Sequence, residues 1–297
     1  MIFAALFFLA SLVNDVRGLI AQHNLTAAEQ RIRGYQVEAG GTPELAAAVS
    51  WLGRGELEAK DYNRADTYAS EARRISLDLL RSHKLDSDPW LPTALGASIE
   101  VHAQVLAARG ERGQAVSFLR EQAKLFANTS LVERINKNIN LLSLVGRPAP
   151  ALEEKEWFGP KPPPLSQLKG HPVLLFFWAH WCPDCKSEAP ILAGLQKKFG
   201  PQGLVILGPT RFYGFVGGGD EAPPNVERQY IEAVRAKFYP MLSDMPAPLS
   251  AANFQAYGAS STPTIVLLDA AGIVRYYHPG AASEAELTAQ IEPLLRK

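Results

Sequence analysis

Three patterns of apolar and polar positions divide this chain. From about Leu12 to Leu144 the sequence is Ala/Leu-rich, with prolines only at Pro43, Pro89 and Pro92, where they punctuate. This pattern predicts a series of helices. Between Pro148 and Pro172 there are seven prolines in 25 residues, so the helical region ends near Val145. Trp157 and Phe158 within that stretch suggest a short strand. Val173 to Trp178 then reads VLLFFW, a continuous apolar run that predicts a strand buried on both faces. A helix to about Phe199, a strand at Leu204–Leu207, a long loop and a helix near Val226–Phe238 follow. Thr264–Leu268 and Ile273–Tyr277 read as strands joined by a tight turn at Ala271-Gly272, and a last helix spans about Glu284–Leu295. The order β-α-β-α-β-β-α predicts a sheet layered with helices. The fold class expected is α + α/β: a possible leader at residues 1–11, a helical-hairpin domain over 12–145 and an α/β domain over 146–297.

A weak internal repeat runs through the helical part. Asn24-Leu25-Thr26-Ala27-Ala28 aligns with Asp61-Tyr62-Asn63-Arg64-Ala65 and with Glu111-Arg112-Gly113-Gln114-Ala115, the last alanines lying 37 and 50 residues apart. Ala65, Ala69 and Ala72 have the spacing of small residues at a close helix crossing, and upstream Gly53 and Ala103 are likewise 50 apart. About three hairpin pairs are expected. They serve either as a partner-binding groove or as a cap or dimerisation domain.

The charge balance removes one class of function. The 297 residues carry 30 Lys+Arg and 30 Asp+Glu, with 17 basic and 16 acidic through Arg147. Neither half is a polyelectrolyte, so composition gives no support for nucleic-acid binding. The run Ile2–Val13 is apolar apart from Ser11; twelve residues are too few to span a bilayer, which needs about 20, but fit the apolar core of a secretory leader. No Lys or Arg precedes the run, and the best small-residue cleavage site is Ala10-Ser11. Export is the reading we favour over a first helix of the folded domain.

The candidate chemistry is concentrated in two cysteines, Cys182 and Cys185, in one C-x-x-C. A bridge across so short a loop constrains almost nothing in the unfolded chain, so the pair is not a fold staple. It follows the apolar strand and opens a helix. A cysteine at a helix N-terminus meets unpaired N–H groups and the positive end of the dipole, both of which favour the nucleophilic thiolate. Cys182 is expected to attack, and Cys185, one turn further in and more buried, to resolve the mixed disulfide. Pro183 suits the first helical turn, and Asp184 places an opposing negative charge nearby. A zinc site would need two more ligands; His180 is adjacent, but the remaining histidines show no ligand spacing. Haem attachment would need His where Lys186 stands. His180 itself is expected to be exposed. The loop Pro209–Pro224, with Gly217-Gly218-Gly219 and four large side chains at Arg211, Phe212, Tyr213 and Phe215, either shapes a substrate face or is a plain surface loop.

Taken in order, these residues resemble the thioredoxin superfamily, and within it the extracytoplasmic thiol-disulfide oxidoreductases of the TlpA/ResA-like branch. Gly146-Arg147-Pro148-Ala149-Pro150 resembles the opening segment of redoxin domains, and Leu165–Gly170 the turn before the central strand. Phe177–Lys186 resembles the active-site strand and helix start, with Pro190 where the family kinks this helix. Ser261-Thr262-Pro263-Thr264 resembles the cis-proline loop, and Asp269–Gly272 the hairpin after it. The helical half resembles tetratricopeptide-type hairpins more loosely. A peroxiredoxin would carry Thr or Ser at Ala179 and proline at Leu175, so a dedicated peroxidase is not expected.

The resemblance implies a protein-disulfide oxidoreductase, acting as a reductase outside the cytoplasm, in the periplasm or at the membrane. It needs no metal or organic cofactor and works with protein thiol or disulfide substrates and an upstream electron donor. Many thioredoxins place a carboxylate where Phe176 stands here; the branch instead implies Glu188, three residues after Cys185, as proton acceptor. Trp181, Thr262 and Pro263 are the expected substrate contacts. The alternative is an adaptor whose helical domain binds a partner while the redox domain senses or regulates it.

Overall fold

In the computed structural model, which describes residues 11–295, the chain divides between Asn138 and Ile139 into two units. The proposed leader lies outside the described residues except for Ser11. No helix among the described residues is long and apolar enough to cross a membrane.

The first unit is helical: α1 (Leu12–Ala21), α2 (Leu25–Ala39), α3 (Pro43–Glu58), α4 (Tyr62–Leu79), α5 (Trp90–Ala108), α6 (Arg112–Leu125) and the start of α7 (Leu131–Ser143). The three aligned segments of the sequence are the starts of α2, α4 and α6, and the turns before them share one geometry. His23, Lys60 and Gly110 each adopt a positive φ, at 57°, 63° and 87°. The next residues, Asn24, Asp61 and Glu111, each donate their N–H to a carbonyl five residues back, at 2.9 Å in all three cases. The left-handed residue is what reverses the chain in one step. Asn24 and Asp61 then cap their helices by accepting from Ala27 and Arg64 N–H; Glu111 makes no side-chain cap. The small residues work as expected. A Cβ on Gly53 would lie 3.4 Å from Ala65 O and Ala69 N, so α3 and α4 cross with backbones close together.

The second unit carries β1 (Trp157–Phe158), β2 (Val173–Phe177), α8 (Pro183–Phe199), β3 (Val205–Leu207), α9 (Pro224–Phe238), β4 (Ala247–Pro248), α10 (Ala251–Tyr257), β5 (Thr264–Leu268), β6 (Val274–Pro279) and α11 (Glu284–Leu295). The main sheet has the order β3-β2-β5-β6, with β2 and β3 parallel and the other pairs antiparallel. A separate antiparallel pair joins β1 to β4. All five β2 residues are buried, as the VLLFF run predicts. Leu174 and Phe176 face a core shared with α8, α9 and α11; Val173, Leu175 and Phe177 face another containing Phe254 and Tyr257 of α10. The sequence pattern missed β4 and α10. Two and seven residues are too short to show a period, and their place is set by packing.

The class is therefore α + α/β. The strand-then-helix step at the end of β2 puts the C-x-x-C at the carboxyl edge of the central strand.

Candidate active site

Trp178 follows the central strand and fixes the loop after it. Its ring is fully buried, its indole N–H donates to Gly208 O at 2.9 Å, and its carbonyl accepts from Thr210 Oγ1 at 2.9 Å. A turn follows, closed by Cys182 N–H on Ala179 O at 3.2 Å. Cys182 is the N-cap of α8, with Pro183 in the first turn, where a missing N–H costs no helix bond.

Cys182 and Cys185 are joined in a disulfide. The Cys185 N–H points at Cys182 Sγ from 3.0 Å, which is the donor a thiolate on Cys182 would keep after reduction. Both sulfurs are closed off in this oxidised form, Cys182 at 1% and Cys185 at 0% exposure, so burial does not rank them here. Their surroundings do. Cys182 caps α8, and its Sγ lies 3.4 Å from the carbonyl oxygen of Thr262, whereas Cys185 lies within the first turn of the helix. The Thr262–Pro263 peptide is cis. The Pro263 carbonyl accepts from Gly280 N–H at 2.8 Å, which ties this loop to the end of β6. The hydroxyls of Ser261 and Thr262 have no partner in the structure. Trp181, next to Cys182 in the chain, is 46% exposed, its ring edge-on to Tyr213 at 5.6 Å.

Glu188 is not a surface helix residue: it is 1% exposed on the inner side of α8. Its Oε1 accepts from Ala282 N–H at 2.5 Å, while Oε2 has no partner. Burial pushes its carboxyl above the ordinary range. The Ala282 N–H and His278 pull it back, and Asp184 and Glu286 add to the rise. A carboxyl so placed is better matched to a thiol proton than an exposed one.

The expectation that His180 is exposed is wrong. The imidazole is fully buried, with Nε2 3.2 Å from Glu227 Oε1 on α9. Glu227 carries no motif signal and was missed; it lies 47 residues away in sequence and meets His180 only through the fold. The 209–224 loop is likewise no plain surface loop. Glu227 accepts the N–H groups of Tyr213 and Gly214 at 2.6 and 2.9 Å, anchoring the loop beside the cysteines.

Comparison with known proteins fits this geometry. Residues 145–277 match the AhpC/TSA family. The chain is 30% identical over 155 residues to the thiol:disulfide interchange protein DsbE of Vibrio cholerae, covering 52% of this chain and 75% of that one. It is 31% identical over 121 residues to the thiol-disulfide oxidoreductase ResA of Bacillus subtilis, covering 41% and 60%. A solved thiol:disulfide interchange protein of Chlorobium tepidum overlays 51% of this chain and 97% of its own, at 24% identity and a TM-score of 0.38. The helical unit up to Asn138 lies outside the matched family region. With three-quarters of the Vibrio protein spanned by this chain, and a disulfide standing at the helix terminus where exchange requires it, the chain belongs to the DsbE/ResA-like thiol-disulfide oxidoreductases.

Proposed function

We propose that the enzyme reduces disulfides in protein substrates, with Cys182 as nucleophile, Cys185 as resolving thiol and Glu188 as proton acceptor. The observation that carries this reading is the Cys185 N–H aimed at Cys182 Sγ at the start of α8. The Cys182 thiolate attacks one sulfur of the substrate disulfide. A mixed disulfide forms, and the released substrate thiolate takes a proton from solvent. Glu188 then accepts the Cys185 proton, and Cys185 attacks Cys182 Sγ. The Cys182–Cys185 disulfide forms, and the second substrate thiolate leaves and is protonated. Two electrons have passed to the substrate, and an upstream dithiol donor restores the enzyme. Trp181, Thr262 and Pro263 form the substrate contact, supported by the exposure of Trp181 and the nearness of Thr262 O to Cys182.

The reduction potential of the pair tests the direction. A value near about −270 mV fits a reductant, and one near about −120 mV would make the protein an oxidant. Replacing Glu188 by Gln tests the proton step: an unchanged pH dependence of both thiols would remove Glu188 from the mechanism.

We place the enzyme outside the cytoplasm, in the periplasm or at the membrane. The apolar run Ile2–Val13 supports this. Finding the uncleaved chain in the cytosol of the source cell would overturn it. Residues 12–145 form the domain that holds a protein partner, and residues 146–297 the redox domain. The exposed apolar side chains of Val37 and Leu125, 88% and 70% exposed, support a docking role for the helical part. In a Cys185→Ser background, which retains mixed disulfides, Val37→Glu with Leu125→Glu should reduce the yield of the trapped physiological partner. An unchanged yield would argue against docking there.

A further inference from the structure

The turn that presents Cys182 has two side chains at its corners, and they point in opposite directions. Trp181 is 46% exposed, whereas His180 is fully buried. Thiol-disulfide exchange as written above uses no imidazole, and burying one costs free energy unless its polar atoms are held. Nε2 is held, donating to Glu227 Oε1 at 3.2 Å. That carboxylate is itself fully buried, and it also takes the Tyr213 and Gly214 N–H groups. Tyr213, Phe215 and Tyr230 meet the imidazole edge-on, with centroids at 5.6, 5.4 and 5.3 Å. One carboxylate thus ties together three pieces of chain: the nucleophile's turn, the 209–224 loop and α9.

The ionisable groups around the ring are Glu227 and Tyr230 from α9, Tyr213 from the loop and Lys186 from α8. Burial pushes the imidazole below its ordinary range; Glu227 pulls it up, and Lys186 pushes it down. The net shift is downward, which favours the neutral ring with its proton on Nε2. Nδ1 then needs no acceptor, in keeping with its lack of a partner.

We propose that His180 is a positioning residue for the attacking sulfur. By donating to Glu227, it locks the Ala179–Cys182 turn onto the 209–224 loop and so holds Cys182 Sγ in line with the Cys185 N–H. The inference rests on Cys182 being the attacking thiol. Losing the donor loosens the turn, so the thiolate loses alignment with its N–H donor. That raises the pKa of the Cys182 thiol.

The test uses the reduced full-length protein and iodoacetamide, following alkylation against pH and mapping the alkylated cysteine by mass. His180→Phe keeps the ring volume but cannot donate, whereas His180→Gln keeps an N–H at similar reach. His180→Phe should raise the Cys182 midpoint by about one pH unit and slow reduction of a disulfide-bonded peptide at pH 7 about tenfold. His180→Gln should stay within about twofold of the parent rate. A His180→Phe midpoint equal to the parent's, or equal shifts in both variants, overturns the proposal. Should the Phe variant not fold, His180→Asn, whose amide stops short of Glu227, decides on the same readout. If alkylation instead falls first on Cys185, it is the assignment of Cys182 as nucleophile that fails.

Discussion

Two glutamates, half-buried Glu100 in the helical unit and buried Glu188 in the redox unit, are treated in opposite ways. Glu100 on α5 is surrounded by cations: Arg134 at 2.9 Å, Lys137 at 3.4 Å and Arg54 at 3.5 Å. Burial alone would push its carboxyl up, but Lys137, Arg134 and Arg54 outweigh that and hold it at about 2. Glu188 on α8 has one N–H for one oxygen and nothing for the other, and burial leaves it raised. The helical unit uses this half-buried charge to hold α3, α5 and α7 together. The redox unit leaves buried polar atoms short of partners around the disulfide, at Glu188, His180, Ser261 and Thr262. A fully satisfied group is inert, whereas a half-satisfied one can still take a proton or a new partner.

The contrast can be broken most severely at the sulfur. Cys182→Ser should lower exchange by about a thousandfold or more, and Cys185→Ser should accumulate mixed disulfide on non-reducing gels. Residual turnover close to the parent's in Cys182→Ser would end the assignment. Next comes Glu100→Ala, which strands three cations in a largely buried site. A loss of about 3–5 kcal/mol is expected, read as reduced hydrogen-exchange protection across α5. The alkylation rate of Cys182 should not change; if it does, the two units are not separable in this way.

The pH dependences should have opposite signs. The folded pKa of Glu100 is depressed from 4.5 to about 2. Its contribution, about 3 kcal/mol, is therefore present above the unfolded value and lost as pH falls through the folded one. The folded pKa of Glu188 is raised, so its contribution is full below the unfolded value of 4.5 and lost as pH rises through the folded one. Glu188→Gln should then stabilise the redox unit at pH 7 while slowing the resolving step. Denaturant titrations at pH 4 and pH 7 check the sign; a destabilised Gln variant at pH 7 would contradict it.

The smallest effect sharpens the helical side. Asp61→Ala removes a cap from α4 and should cost about 1 kcal/mol. Glu111→Ala at the equivalent place on α6, where no cap exists, should cost a few tenths at most. Equal losses would mean that the three turns are not equivalent in the way their backbone suggests.

Much of this was legible in the sequence, and the gaps have a physical pattern. The VLLFF strand, the helix opened by Cys182 and the hairpin at Gly272 are local, each written in neighbouring residues. The cis-proline loop was legible because its four residues match a family motif. The turn shared by the three helical hairpins showed only as a faint alignment. Its carriers are a backbone conformation at His23, Lys60 and Gly110 and a hydrogen bond from the N–H of the residue after each, and neither depends on which side chain stands there. His180 and Glu227 could not be paired from the sequence, because only the fold brings them to 3.2 Å. The burial of Glu188 depends in the same way on the Ala282 N–H, 94 residues away.

Cys182 and Cys185 are the only cysteines in the sequence, and they share a single bond. Each molecule is therefore a one-couple electrode that stores two electrons or none. A thiol label added under denaturing conditions changes its mass by two tags or by zero, so the ratio of the two mass peaks reads the redox balance of its compartment from the unmodified protein.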